Sequence, residues 1–267
     1  MENLSGKTAF ITGGASGIGL GIAKACAREG MNIVIADLRQ KAIDEALPLF
    51  QENGWPVHGI QLDVTDREAY AKAADEAEAV FGNIHVLVNN AGIGIQEGPV
   101  WMDPYEDVDL MIDVNLKGVL NGIMIFVPRM LKHGEGGHVV STASKAGLIP
   151  VPGFTLYNST KRAVIAIMET LASDLADTNI GASVFCPGPF QSNLGMTSAE
   201  VRTALLGENP PPAAPRRRPP RGETPQVDIS KIVRDADEAG ERVVRGIKRG
   251  DLYIISHVEF KKGLQAR

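Results

Sequence analysis

The chain has 267 residues, 44% of them hydrophobic, and a formal net charge of −5. That length supports one large domain with an ample core, and the acidic balance argues against a nucleic-acid binder. Two cysteines and five histidines without metal-ligand spacing exclude a disulfide framework and lead to the expectation of no metal.

In chain order, Lys7 to Thr12 reads as a short buried strand, followed by Gly13-Gly14-Ala15-Ser16-Gly17-Ile18-Gly19 and a helical run from Leu20 to Arg28. Glycines are needed where the chain turns off the strand and where a Cβ would hold a pyrophosphate away from backbone N–H groups. The helix N-terminus adds partial positive charge beneath those oxygens. This arrangement predicts a dinucleotide cradle that includes Gly13, Ser16, Gly17, Ile18 and Gly19. A second strand, 32–36, ends at Asp37, whose carboxylate would accept ribose hydroxyls of NAD and repel the phosphate of NADP. Arg39 is the competing signal, since a guanidinium could hold that phosphate, and Asp37 could instead cap a helix starting near Gln40.

Further strands are expected at 57–62, 84–88, 137–142, 181–186 and 252–255. Helices are expected at Asp66 to Phe81, Asp103 to Lys132, 154–177 and Asp237 to Lys248. The alternation predicts an α/β fold, a Rossmann-type doubly wound parallel sheet of about seven strands. No apolar run is expected to span a bilayer, and Met1 to Leu4 leads into the first strand without a leader pattern, so a cytoplasmic protein is expected. Cys26 and Cys186 fall in buried-looking segments, as small core residues would.

Tyr157 and Lys161 lie four residues apart on one helix, and Ser144 lies thirteen positions before the tyrosine. A phenol near its ordinary pKa of about 10 is a poor proton carrier, and bringing it to about 7 takes roughly 4 kcal/mol of preference for the phenolate. A lysine ammonium one turn away would supply much of that, and a serine hydroxyl would polarise a substrate oxygen. Taken alone, the pair also fits a surface ion on a helix, Ser144 a loop hydroxyl, Asn115 a solvent-facing helix residue, and Asn89 and Asn90 turn residues.

Together, Thr12-Gly13-x-x-x-Gly17-x-Gly19, Asn89-Asn90-Ala91-Gly92, Asn115, Ser144, Tyr157-x-x-x-Lys161 and Pro187-Gly188 resemble the short-chain dehydrogenase/reductase family over about residues 5 to 195. The resemblance implies an oxidoreductase in which Tyr157 is the general acid/base and Ser144 its partner on the substrate oxygen. Lys161 then binds the nicotinamide ribose and lowers the tyrosine pKa, and Asn115 orders a water in a proton relay. It further implies adenine contacts at Asp63 and Val64, a turn against the cofactor at Asn90, Ala91 and Gly92, and a nicotinamide end at Pro187, Gly188, Phe190 and Ser192. NAD is the expected cofactor; an NADP-dependent carbonyl reductase or a non-catalytic dinucleotide sensor are the alternatives.

The expected substrate is a hydrophobic secondary alcohol or ketone, aromatic or alicyclic, because Ile93-Gly94-Ile95 and Gly147 to Phe154 are mostly apolar. The ending Leu252-Tyr253-Ile254-Ile255, with Asp66 to Tyr70 and Val127 to Met130, is similar to the subgroup that includes Cα-dehydrogenases of lignin-derived aryl ethers and benzylic alcohols. Residues 189–230 correspond to the family's substrate lid; within them the Pro- and Arg-rich stretch 208–226 suits neither helix nor sheet interior and reads equally as lid or as solvated excursion. Apolar residues exceed one face (Leu116, Val119, Leu120, Ile123, Ile165, Met168, Leu171). The resemblance implies that they pair between subunits as a homodimer or homotetramer, while ordinary packing onto the sheet is the alternative, and both can hold on different faces.

Overall fold

A computed structural model describes residues 1–94, 98–191, 194–207 and 232–260. Seven parallel strands form one sheet in the order β3-β2-β1-β4-β5-β6-β7. They are β1 (Thr8–Thr12), β2 (Asn32–Asp37), β3 (Val57–Gln61), β4 (Val86–Asn89), β5 (Gly137–Thr142), β6 (Ile180–Cys186) and β7 (Tyr253–Ile255). The helices are α1 (Gly17–Arg28), α2 (Gln40–Gln51), α3 (Arg67–Phe81), α4 (Tyr105–Ile112), α5 (Gly118–His133), α6 (Lys145–Leu148), α7 (Thr155–Asp174), α8 (Leu194–Leu206) and α9 (Ala236–Arg249). A Rossmann-type α/β single domain is what the strand alternation predicted.

Side chains alternate across each strand, and both faces are covered by helices, so strand sequences are apolar throughout. In β1 Phe10 enters one core and Ala9 and Ile11 the other; in β2 Val34 and Ala36 share the face of Phe10, and Ile33 and Ile35 that of Ile11. The first core includes Tyr70, Phe126 and Met168, with the Phe10 and Phe126 ring centroids 4.7 Å apart. The second lies beneath α1 and α9, which cross closely: a Cβ on Gly21 would overlap the Ala236 carbonyl oxygen, and one on Gly240 the Gly21 carbonyl oxygen.

Helix ends follow local chemistry. Asp66 caps α3 by accepting the Glu68 and Ala69 N–H groups, both at 2.9 Å, and Gly250 ends α9 in the left-handed region at φ 70°. Between α4 and α5 the chain stays helical through one π-type turn, Asp113–Lys117, which carries Asn115. The resulting continuous helix, Tyr105–His133, corrects the expectation that no segment is long and apolar enough for a bilayer: its mean hydropathy reaches 1.6. Over half of that apolar window is buried, with Met111, Val119, Phe126 and Met130 in the core, which accounts for its composition.

Strand order reverses between β1 and β4, and the loops leaving their carboxyl ends part there. In open α/β sheets this is where ligands bind.

Candidate active site

A cleft of about 1060 Å³ of empty space, open to solvent, lies at that reversal. Its floor is the glycine loop, where Gly13 (φ 61°) and Gly17 (φ 51°) sit in the left-handed region. Gly19 does not face the cleft; a Cβ there would overlap the Gly13 carbonyl oxygen and lie 2.5 Å from Asn90 Nδ2. Its role is to let the loop close onto α1. Asn90 donates to the carbonyls of Thr12 at 3.1 Å and Gly13 at 3.2 Å, and accepts from Thr142 at 3.2 Å, tying together the ends of β1, β4 and β5. Asn89, by contrast, is buried and bonded to Tyr70 and Ser141, a packing role.

Asp37 closes β2 at the rim of the cleft and is almost fully buried. It is not the cap of α2, where Arg39 holds that position, but its Oδ1 accepts the Arg39 N–H at 3.1 Å and Nε at 3.3 Å. Asp63 Oδ1 is engaged locally by the Thr65 N–H at 2.9 Å and hydroxyl at 2.8 Å, which orders the turn carrying Asp63 and Val64 along the cleft wall. Asn121, which no motif singled out, fixes the same turn by donating to the Val64 carbonyl at 2.9 Å.

At the far end stand Ser144, Tyr157 and Lys161. Ser144 is the N-cap of α6: its Oγ accepts the Ala146 N–H at 3.1 Å, leaving the hydroxyl proton for a hydrogen bond with Tyr157. Tyr157 and Lys161 both line the cleft, from the first turns of α7. The Lys161 Nζ donates to the Thr142 carbonyl at 3.0 Å and lies 5.7 Å from the Tyr157 ring centroid. Burial lowers the Lys161 pKa to about 8. Burial also raises that of Tyr157, and the Ser144 hydrogen bond opposes it. The expectation of an acidic phenol is therefore not met by the protein alone: desolvation outweighs the serine.

Asn115 is wholly buried, and its side chain brackets Ile93, accepting the Ile93 N–H at 2.8 Å and donating to the Ile93 carbonyl at 2.9 Å. Gly92 lies between: a Cβ there would be 3.0 Å from Asn115 Oδ1 and 3.2 Å from Lys161 Nζ. Asn115 thus shapes the turn of Ala91 and Gly92 beside the lysine.

Pro187 lines the cleft, but Gly188 and Phe190 do not. The Phe190 ring packs against Phe185 and His257, 6.2 and 5.3 Å between centroids. Gly188 donates its N–H to Ser256 Oγ at 3.0 Å, and a Cβ on it would meet the His257 ring at 2.6 Å. Ser256 and His257, which carried no sequence signal, thereby seat the turn after β6. Ser192, Ile95 and the stretch 208–226 lie outside the described residues. Helix α8 supplies the remaining wall, with Leu194, Thr197, Val201 and Leu205 facing the cleft.

The donors and glycines fit a nicotinamide dinucleotide: a cradle that side chains would fill, a carboxylate at the end of β2, and a lysine and phenol at the opposite end. The model for short chain dehydrogenase matches residues 7–202. A C alpha-dehydrogenase from Sphingobium sp. (strain NBRC 103272 / SYK-6) is 37% identical over 269 residues, covering 99% of this chain and 85% of that protein. The 3beta-hydroxysteroid dehydrogenase 2 of Eggerthella lenta is 35% identical over 194 residues, 72% of this chain and 74% of the relative. Among solved structures, a short chain dehydrogenase/reductase from Burkholderia phymatum in complex with NAD superposes with TM-score 0.87 at 30% identity, covering 100% of this chain and 94% of that one. The apo form of LigO from Sphingobium sp. strain SYK-6 does so with TM-score 0.82 at 37% identity, over 100% and 88%. Family match, full-length relatives and the grouped Ser144, Tyr157 and Lys161 agree: the chain belongs to the short-chain dehydrogenase/reductase family of oxidoreductases.

Proposed function

We propose that this chain is an NAD-dependent dehydrogenase interconverting a hydrophobic secondary alcohol, aromatic or alicyclic, and its ketone. The observation that carries the reading is a phenol hydrogen-bonded by Ser144, with the Lys161 Nζ 5.7 Å from its ring centroid, both side chains lining the dinucleotide cleft at the end opposite Asp37. When bound, the oxidised dinucleotide supplies a hydride acceptor and a positive charge. The residues handle the proton. Tyr157 as phenolate takes it from the substrate hydroxyl, and Ser144 donates to the same oxygen as charge moves onto it. Lys161 holds its charge beside the ring, favouring the phenolate that burial alone disfavours.

NAD is favoured over NADP because the carboxylate of Asp37 is buried at the strand end and Arg39 is already bonded to it. The substrate class is supported by the apolar wall of Ile93, Leu194, Val201 and Leu205 and by likeness to proteins named for a C alpha and a 3beta-hydroxysteroid activity. Leu120, Met124 and Leu131 form an exposed apolar stripe on α5, which we assign to contact with a second copy of the chain. Val119, Ile165 and Met168 pack in the core, the alternative that the sequence left open for them.

Tyr157→Phe should lower turnover by at least about a thousandfold across a panel of benzylic, alicyclic and steroid alcohols while NADH still binds. Near-normal turnover in that variant sinks the mechanism. Tight NADH binding without oxidation of any alcohol would favour the sensor reading instead.

A further inference from the structure

We propose that Glu200, on α8, sets cofactor choice jointly with Asp37 by keeping the Arg39 guanidinium occupied; this rests on the NAD reading above. A guanidinium two residues past the end of β2 is the natural receptor for a ribose 2′-phosphate. In this chain each of its nitrogens already has a partner. Nε donates to Asp37 Oδ1 at 3.3 Å, one terminal nitrogen to Ser16 Oγ at 3.0 Å, and the other to Glu200 Oε2 at 3.2 Å. Two carboxylates around one guanidinium leave a net negative charge where a phosphate would have to sit.

The placement of Glu200 is imposed by its helix rather than by its own burial, for its side chain is 62% exposed. Helix α8 is fastened on both sides of it. Arg202 donates to the buried Asp107 of α4 through Nε at 2.5 Å and a terminal nitrogen at 3.3 Å, and Ser198 Oγ accepts the Gly94 N–H at 2.9 Å. The same helix walls the cleft with Leu194, Thr197, Val201 and Leu205. NAD leaves the Arg39–Glu200 pair intact. A 2′-phosphate recruits Arg39 only by drawing it from Glu200, which also unties α8 from the adenosine end. Selectivity is thus written partly on the helix that covers the cleft, well outside the β2–α2 loop.

The test is fluorescence titration of NADH and NADPH against the parent, Glu200→Gln, and the double variant Glu200→Gln with Arg39→Gln, at low ionic strength where exposed charges are least screened. Glu200→Gln should tighten NADPH by about three- to tenfold and leave NADH within about twofold. The double variant should lose that gain. An unchanged NADH-to-NADPH ratio in Glu200→Gln, with the parent preferring NADH, overturns the role of Glu200 alone. A parent that prefers NADPH overturns the NAD reading and this inference with it. A gain that survives loss of Arg39 also overturns the proposal, since the charge then acts without the guanidinium.

Discussion

Lys161 shows how burial and chemistry pull against each other at a single residue. Its ammonium is buried and holds one carbonyl, that of Thr142, so the native pKa falls from 10.5 to about 8. Between pH 8 and 10.5 the unfolded chain therefore keeps a proton that the native chain has lost, and stability rises with pH across that window. Below it the full penalty applies. Lys161→Met should accordingly resist urea better than the parent at pH 7 by up to about 3 kcal/mol, at the expense of activity. The gap should narrow steadily as pH climbs from 8 to 10.5, and a pH-independent difference would contradict the assignment. Spacing put Tyr157 and Lys161 on one helix face, but the roles of Ser144, Tyr157 and Lys161 were legible only through the resemblance of the combined motifs to the family. The direction of the tyrosine shift was not readable, since it depends on how much water the folded walls remove. For the same reason Ser256 and His257 escaped notice: their work is done by contact with Gly188, sixty-eight residues away in the chain for Ser256.

At the scale of elements, the crossing of α1 and α9 makes the most specific demand on sequence. Backbone meets backbone at Gly21 and Gly240, with no room for a methyl group at either. Gly240→Ala should cost about 1–3 kcal/mol in urea unfolding by forcing the helices apart. Because α1 carries the glycine loop at its N-terminus, NADH affinity should fall as well, measured by fluorescence titration of the folded variant. Wild-type affinity in a destabilised variant would show that the loop is held independently of α9. The helices α3 and α9 were anticipated from helical residue runs, and the strands to within two residues at each end. Helix α8 was not anticipated. Its segment Leu194–Leu206 has no strong apolar face, with only Ser198 and Val201 buried, and it is held by pairs such as Arg202 with Asp107 that no local pattern announces. The four-residue α6 was missed too, although its N-cap is the very serine singled out for chemistry.

For the whole molecule, the doubly wound parallel sheet followed from the βα alternation, whereas the strand order is fixed only by the finished fold, since more than one order satisfies right-handed crossovers. What alternation does not reveal is which apolar residues point outward. Leu120, Met124 and Leu131 belong to a helix in which Val119, Phe126, Val127 and Met130 are core, and only the finished packing separates the two sets. Met124, 71% exposed, is the sharpest probe of self-association. Met124→Asp should shift the sedimentation profile toward the monomer without altering the thermal transition of the subunit, since its side chain supports little of the core. An unchanged oligomer would place the contact elsewhere on the surface.

The glycine-to-glycine crossing has one more consequence, for the chain as it is being made. Synthesis delivers the cradle for the dinucleotide, Gly13 to Gly19, more than two hundred residues before the helix that braces it, Ala236–Arg249. A nascent chain halted before residue 236 would display its phosphate loop on an unsupported helix, with the apolar underside of Ile22 and Ala25 bare to chaperones. Cofactor capture during synthesis would then wait for that helix to arrive.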